Sequence, residues 1–135
     1  MELKDVLGQN MKRLINVSYK NDYPVEMSEV SIKLAVEDSL TDFRVEKNEI
    51  FSTYERKFHS VDSKILIDIT FQFRSKIKAD VSITNQELIA LIQKHENQYV
   101  LFAPSEASLI IANIMKSAGF PPVITAPTFI EKSNK

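Results

Sequence analysis

The sequence predicts an α+β domain, in which a four-stranded antiparallel sheet is covered on one face by two C-terminal helices and preceded by a short N-terminal helix. Two observations carry this prediction. Apolar and polar side chains alternate in successive segments up to residue 83, and segments with helical spacing follow. Strands that come first and helices that come last favour a two-layer α+β arrangement over alternating βαβ units. The 135 residues fit one domain, with residues 131–135 as a polar, disordered end.

The first half of the chain predicts a short helix and three strands. Helical spacing of apolar residues places the helix over residues 2–12, and the alternation of residues 15–19 indicates the first strand. A loop over residues 21–29 follows, and a second strand covers residues 30–38. The third strand runs from about residue 45 to residue 61, and one of its faces carries Ile50, Tyr54 and Phe58.

The fourth strand is the clearest periodic segment of the chain. From residue 65 to residue 83 the apolar residues fall at odd positions, and Leu66 is the one apolar residue at an even position. Such alternation is typical of a sheet that packs on one face and meets water on the other. At about 3.3 Å per residue the run would span about 60 Å, whereas a compact domain of this size is roughly 35–40 Å across. We therefore expect the strand to bend, to contain a bulge or to project beyond the domain, and a projecting strand could pair with a second subunit.

Two helices are predicted after the sheet. Thr84 followed by Glu87 resembles a capping box, which indicates that the first helix begins here. The second helix spans about residues 104–118. Pro104 is tolerated in its first turn, and Gly119 stands where helices commonly end in a left-handed residue.

Composition and motifs argue against catalysis. The chain has no cysteine, which excludes disulfides and thiolate chemistry, and its two glycines leave no phosphate-binding loop. His59 on the polar face of its strand and His95 at a helix end are interpreted as solvated residues. The acidic residues between 37 and 46 are interpreted in the same way, rather than as a cage of oxygen ligands. We therefore expect no enzymatic activity, no cofactor and no metal site.

Charge and hydropathy predict the environment of the protein. The net charge of −1 argues against a nucleic-acid partner. Arg74, Lys76 and Lys78 form a basic row on the solvent face of the fourth strand, which is interpreted as a solvated sheet face. The first twenty residues lack a continuous apolar segment, and no apolar run approaches the roughly 20 residues of a membrane-spanning helix. We therefore expect a cytoplasmic protein without membrane insertion.

One loop carries apolar side chains without a clear place in the core. Tyr23, Val25 and Met27 lie in the proline-containing loop after the first strand. They either fill the core from the loop or form a flexible wall of an apolar binding groove, since methionine and aromatic side chains adapt to varied partners. The residues alone do not choose between these alternatives.

Residues 101–129 combine LFAP, a helix, GFPPV and APTF. This order resembles the C-terminal part of SecB, the bacterial protein-export chaperone family, and the order of elements over residues 14–129 is similar as well. The resemblance implies an ATP-independent holdase for unfolded client polypeptides, assembled as a dimer of dimers. It also implies a client groove between the loop and the long helix, whose candidate residues are Tyr23, Val25, Met27 and those of Ile110, Ile114 and Met115 that are not buried against the sheet.

Two departures from the family bear on partners. SecB is strongly acidic and docks the SecA motor through carboxylates on its sheet, whereas this chain is near neutral and places Arg74, Lys76 and Lys78 there. These residues weigh against a SecA-type partner. The alternative is a non-catalytic interaction protein of the same fold with one dedicated partner, such as an antitoxin-type client. With either function we expect a homodimer or a homotetramer.

Overall fold

The computed structural model describes residues 1–24, 32–121 and 123–130. Its sheet contains the strands β1 (Leu7–Asn21), β2 (Leu34–Glu46), β3 (Glu49–Ser60) and β4 (Ile65–Ile77). Its helices are α1 (Leu3–Val6), α2 (Asn85–Lys94), α3 (Glu96–Val100) and α4 (Ala103–Ser117). Val25, Met27, the predicted start of the second strand at residue 30 and the predicted disordered end at residues 131–135 lie outside the described residues.

The four strands form one antiparallel sheet in the order β1-β4-β3-β2. Because β1 lies beside β4, the chain crosses from one edge of the sheet to the other between β1 and β2. One face of the sheet packs against the helices. The alternation predicted for β3 and β4 is confirmed, since Ile50, Tyr54 and Phe58 are fully buried and the odd residues of β4 from 65 to 75 are buried as well. The predicted α+β fold class is confirmed.

The first helix is much shorter than predicted. It ends at Val6, and β1 begins at Leu7, which pairs with Ile77 of β4. The prediction of a helix over residues 2–12 is therefore wrong beyond Val6. Pairing with β4 gives the backbone of this segment its hydrogen bonds, whereas an isolated helix of this length is marginal in water.

Two strand boundaries also differ from the prediction. β2 continues to Glu46 and turns into β3 through Lys47 and Asn48, whose φ angles of +49° and +62° are those of a two-residue hairpin turn. β4 ends at Ile77, because a turn closed by the Val81 N–H to the Lys78 carbonyl stops it. The prediction of one strand over residues 65–83 is therefore wrong beyond Ile77, and the 13 residues of β4 span about 43 Å.

The helix signals near the C-terminus act as predicted. The Glu87 N–H donates to Thr84 Oγ1 at 3.1 Å and the Thr84 N–H donates to Glu87 Oε1 at 3.4 Å, which completes the capping box of α2. After α4, Gly119 has a φ of +91°, and the N–H groups of Gly119 and Phe120 donate to Lys116 and Met115. This is the Schellman arrangement. The polar stretch between the predicted helices forms α3.

A buried ion pair ties the C-terminal segment to the sheet. The side chains of Asp38 and Arg56 are fully buried, and Nε and Nη2 of Arg56 each donate to one oxygen of Asp38 at 2.7 Å. The same guanidinium donates to the carbonyls of Pro104, Ala126 and Thr128 and to the hydroxyl of Thr125. Asp38 was predicted to be a solvated turn residue, and that prediction is wrong because Asp38 lies in the middle of β2, opposite Arg56.

The environment of this pair shifts two pKa values. Burial acts to lower the pKa of the Arg56 guanidinium, but hydrogen bonds and charge attraction from Asp38 outweigh burial, so this pKa is raised. Burial, followed by the charge of Asp38, raises the pKa of Tyr54, whose hydroxyl donates to Asp38 at 3.0 Å. The cluster therefore holds Tyr54 as a neutral donor beside an ionised pair.

Candidate functional site

An apolar groove runs between β1 and α4. It is an open cavity of about 420 Å³ at the edge of the sheet. Its lining residues are Val17 and Tyr19 from β1, Ile110, Asn113, Ile114 and Ser117 from α4, and Ala118 at the end of the helix. The described lining residues include no carboxylate, histidine or lysine side chain, so the groove offers binding of apolar groups rather than acid–base chemistry.

On the β1 side, the groove is lined by residues that point to the core side of the sheet and are nevertheless exposed. Val17 stands opposite Ile69 and Tyr19 stands opposite Ile67, so both point to the same side of the sheet as the core. Val17 and Tyr19 are each 43% exposed, whereas Ile69 is 0% and Ile67 is 1% exposed. The helix α4 contacts β3 and β4 and leaves this part of β1 uncovered.

A bulge determines which residues of β1 reach the groove side. The register shifts between Leu14, which is opposite Phe71, and Asn16, which is opposite Thr70. The extra residue, Ile15, lets Leu14 share the core side with Val17 and Tyr19, although their positions differ in parity. Without the bulge, strict alternation would have placed Ile15, and not Leu14, on the core side of the sheet.

The helix side of the groove is formed by two of the three predicted residues of α4. Ile110 and Ile114 are half-buried and are one helical turn apart, and both line the cavity. Met115 is 2% exposed and belongs to the core. The prediction included only those of the three helix residues that are not buried against the sheet, so Met115 is not one of the groove residues.

Tyr23 lies away from this cavity. It follows the end of β1, and its hydroxyl donates to Asp62 Oδ2 at 2.5 Å, while Lys64 Nζ lies 5.3 Å from the centre of its ring. The hydrogen bond to Asp62 raises the pKa of Tyr23, and bonds from Ser60 and then Tyr23 lower the pKa of Asp62. Tyr23 is thus fixed to the turn between β3 and β4. Val25 and Met27 are outside the described residues.

The sequence analysis missed Val17 and Tyr19 as groove residues. Their alternation indicated a strand, but their exposure depends on how far α4 reaches across the sheet, which no local pattern records.

In residues 1–24, 32–121 and 123–130, no group of three or more histidines and carboxylates converges to hold a metal ion. In the same residues no helix is long and apolar enough to cross a membrane.

Comparison with solved structures identifies the fold. A SecB-like chaperone of Mycobacterium tuberculosis, solved in complex with a ChAD peptide from the HigA1 antitoxin, superposes with a TM-score of 0.65. The alignment covers 93% of this chain and 89% of that chain, at 8% sequence identity. The fold is SecB-like. This confirms the fold expected from residues 101–129, and at such low identity the likeness concerns the fold alone.

The other comparisons add little. A protein of unknown function from Streptococcus agalactiae aligns over 87% of this chain and 97% of its own length, at 11% identity and a TM-score of 0.38. No protein-family model matches the chain, and no curated protein matches it. The SecB-like likeness is therefore visible in the arrangement of strands and helices and not in the overall sequence.

Proposed function

We propose that this protein is a non-catalytic, ATP-independent chaperone of the SecB-like type, which holds an extended apolar segment of a client polypeptide in the groove between β1 and α4. The observation that carries this proposal is the exposed apolar lining formed by Val17 and Tyr19 facing Ile110 and Ile114. Exposed apolar surface that is continuous with the core is a typical binding surface for unfolded chains.

The backbone of β1 supports an extended client. In the described part of the chain β1 pairs with β4 alone, so the other edge of this 15-residue strand has free N–H and C=O groups. A client strand added at this edge would gain main-chain hydrogen bonds independent of its sequence, and its alternate side chains would enter the groove. Such a mode suits clients that share apolar character but no motif.

The size of the groove implies modest affinity. A cavity of about 420 Å³ accommodates a few apolar side chains, and each one that is fully buried contributes about 1.5–3 kcal/mol. Three such side chains contribute about 4.5–9 kcal/mol before the cost of association is subtracted, so one groove alone should bind no more tightly than about micromolar. Several grooves in one assembly would bind one long client much more tightly.

We therefore retain a homodimer or homotetramer as part of the proposal, although the strand expected to mediate it has changed. β4 lies between β1 and β3 in the sheet and has no free edge, whereas β1 is an edge strand that carries exposed apolar side chains. These are Leu14 and Ile15, with exposures of 44% and 50%. Long exposed apolar edges are normally covered, and a second copy of β1 could cover this part of the strand, which lies outside the groove and leaves the edge at Val17 and Tyr19 to the client.

A dedicated client is the second candidate. It is favoured by the SecB-like chaperone of Mycobacterium tuberculosis, which was solved with a peptide from one antitoxin. A dedicated chaperone would use the same groove for one partner and needs no SecA motor. This fits Arg74 and Lys76, which are basic residues on the outer face of β4, where a SecA-docking sheet is acidic; Lys78, predicted to continue this row, lies beyond the end of β4. A role in protein export has no support of its own in the described residues.

The test combines size exclusion with light scattering, with and without a reduced and carboxymethylated polypeptide that cannot refold. We expect a dimer or larger assembly that co-elutes with the unfolded chain without ATP. Val17→Lys introduces a charge into the groove and should abolish co-elution. The matched control is Ile124→Lys, which places the same charge at a residue that is 89% exposed and outside the groove.

Three outcomes distinguish the alternatives. Loss of binding in Val17→Lys but not in Ile124→Lys supports a general holdase that uses this groove. Equal binding by both variants refutes the groove as the site. If the wild-type protein ignores the unfolded chain yet binds an apolar dye that Val17→Lys excludes, the dedicated partner becomes the better proposal.

A further inference from the structure

The outer face of the sheet, opposite the helices, carries a second concavity that the groove does not involve. It has a volume of about 300 Å³. Its lining residues are Met11, Lys12 and Arg13 of β1, Phe51 of β3, and Gln72 and Arg74 of β4. We name it the arginine pocket.

The strand register brings the members of the arginine pocket together. Met11 lies opposite Arg74, and Arg74 lies opposite Phe51 on its other side, so the three form one row across the sheet. Arg44 of β2 continues this row opposite Phe51. In the adjacent row Arg13 lies opposite Gln72. Arg13 and Arg74 are therefore diagonal neighbours, with their backbones roughly 7–8 Å apart.

Positive charge is in excess around the arginine pocket. Arg74 Nε donates to Glu49, and Arg44 Nε lies 3.2 Å from Glu46, so two carboxylates partly neutralise two guanidinium groups. In the described part of the chain Arg13 and Lys76 have no ion-pair partner, and the Nη groups of Arg74 have no acceptor. The carboxylates leave two cations uncompensated at this end of the sheet.

We propose that the arginine pocket is an interaction surface for an acidic segment of a partner polypeptide. Guanidinium groups match carboxylates in shape as well as charge, because two parallel N–H donors meet the two oxygens. The free donors of Arg13 and Arg74 lie at the spacing of neighbouring strand residues, which suits carboxylates of an extended chain. The exposed side chain of Met11 offers an apolar contact for the methylene groups of glutamate, and Gln72 adds an amide next to Arg13.

The same surface is poorly suited to a nucleic acid. Proteins that bind single strands stack bases on free aromatic rings, but the Arg44 guanidinium covers the Phe51 ring, with Cζ at 4.7 Å from its centre. Tight binding to a phosphate backbone also requires many cations, and this surface has two in excess. An acidic polypeptide is therefore the favoured occupant.

The test measures fluorescence anisotropy of a labelled hexaglutamate peptide with the full-length protein at about 25 mM and 200 mM salt. Hexaglutamate has no apolar side chain, so its binding does not depend on the groove between β1 and α4. We expect binding at low salt that weakens at high salt, because the contacts are exposed charges. Arg13→Gln should weaken binding about five- to tenfold, since it removes one charge-assisted contact that solvent partly screens.

Lys57→Gln is the matched control, because Lys57 is an exposed cation on the same sheet face but outside the arginine pocket. Arg13 is exposed and has no ion-pair partner among the described residues, so its substitution should not disturb folding. The proposal is supported if Arg13→Gln weakens hexaglutamate binding and Lys57→Gln leaves it unchanged. The proposal is overturned if hexaglutamate does not bind at low salt, or if both variants weaken its binding equally. It is also overturned if a six-nucleotide RNA binds more tightly than hexaglutamate.

Discussion

Replacing Arg56 with methionine is the most informative test of how this fold is held together. Arg56 is fully buried and joins β3 to β2 through Asp38, and to the C-terminal segment through three backbone carbonyls and Thr125. Methionine has a similar length and no donor. The variant leaves the Asp38 carboxylate buried with the Tyr54 hydroxyl and the Ile130 N–H as its remaining donors.

The expected loss of stability is large. Removal of one partner from a buried ion pair costs about 3–5 kcal/mol, because the remaining charge is uncompensated. For a chain of this length the change corresponds to a fall in melting temperature of roughly 10–20 °C. The double variant Asp38→Leu/Arg56→Met removes the orphaned charge and should be more stable than Arg56→Met alone. It should remain below the wild type, since the carbonyls of Ala126 and Thr128 still lose their donor.

Urea unfolding followed by far-ultraviolet circular dichroism and tyrosine fluorescence gives these free energies, since the chain has no tryptophan. All variants are compared at one protein concentration, because oligomerisation would add to apparent stability. The matched control is Arg44→Met. It makes the same substitution at an ion pair whose two side chains are each 56% exposed, so it should cost less than about 1 kcal/mol.

The reasoning is refuted if Arg56→Met costs no more than Arg44→Met, or if the double variant is less stable than Arg56→Met. The first result would mean that the buried pair does not hold the C-terminal segment on the sheet. The second would mean that the cost lies in lost packing rather than in an uncompensated carboxylate.

Two further predictions concern the core and the end of α4. Burial raises the pKa of both Tyr54 and Tyr99 above the ordinary value of 10.0, so the folded state keeps two protons that the unfolded state loses above about pH 10. As pH rises above about 10, these two tyrosines should therefore lower the unfolding free energy by up to about 2.7 kcal/mol per pH unit, and Tyr54→Phe should remove half of this contribution; an unchanged slope in urea titrations of the variant would contradict this. Gly119→Ala should lower the free energy of unfolding by about 1 kcal/mol, measured by thermal unfolding, because the φ angle of +91° is unfavourable for alanine. The added methyl group meets nothing within 4 Å, so no clash adds to this cost. A neutral result would mean that the residue leaves the left-handed region without cost.

The features that the sequence predicted well are those encoded within a few residues. The alternation in β4 reports which side chains face the core, and the buried set at Ile50, Tyr54 and Phe58 follows the same rule in β3. The capping box at Thr84 and the stop at Gly119 depend on neighbouring backbone groups. The SecB-like arrangement was also accessible, because residues 101–129 carry its helix and stop signals in order.

The features that the sequence did not predict depend on residues far apart in the chain. The segment after Val6 becomes a strand because β4, 70 positions later at Ile77, supplies its partner. Arg56 meets Asp38 and the C-terminal carbonyls only when three distant segments converge. Local propensity cannot record such pairing, since tertiary contacts override it.

The candidate groove shows the same division within one site. The sequence by itself determined that Ile110 and Ile114 share a helix face and that Val17 and Tyr19 share a strand face. Only the tertiary structure decided that α4 covers β3 and β4, buries Met115 and leaves Val17 and Tyr19 of β1 exposed. Periodicity tells which side chains seek burial, but whether burial is completed depends on where the next layer ends, and that is a property of the whole packed chain.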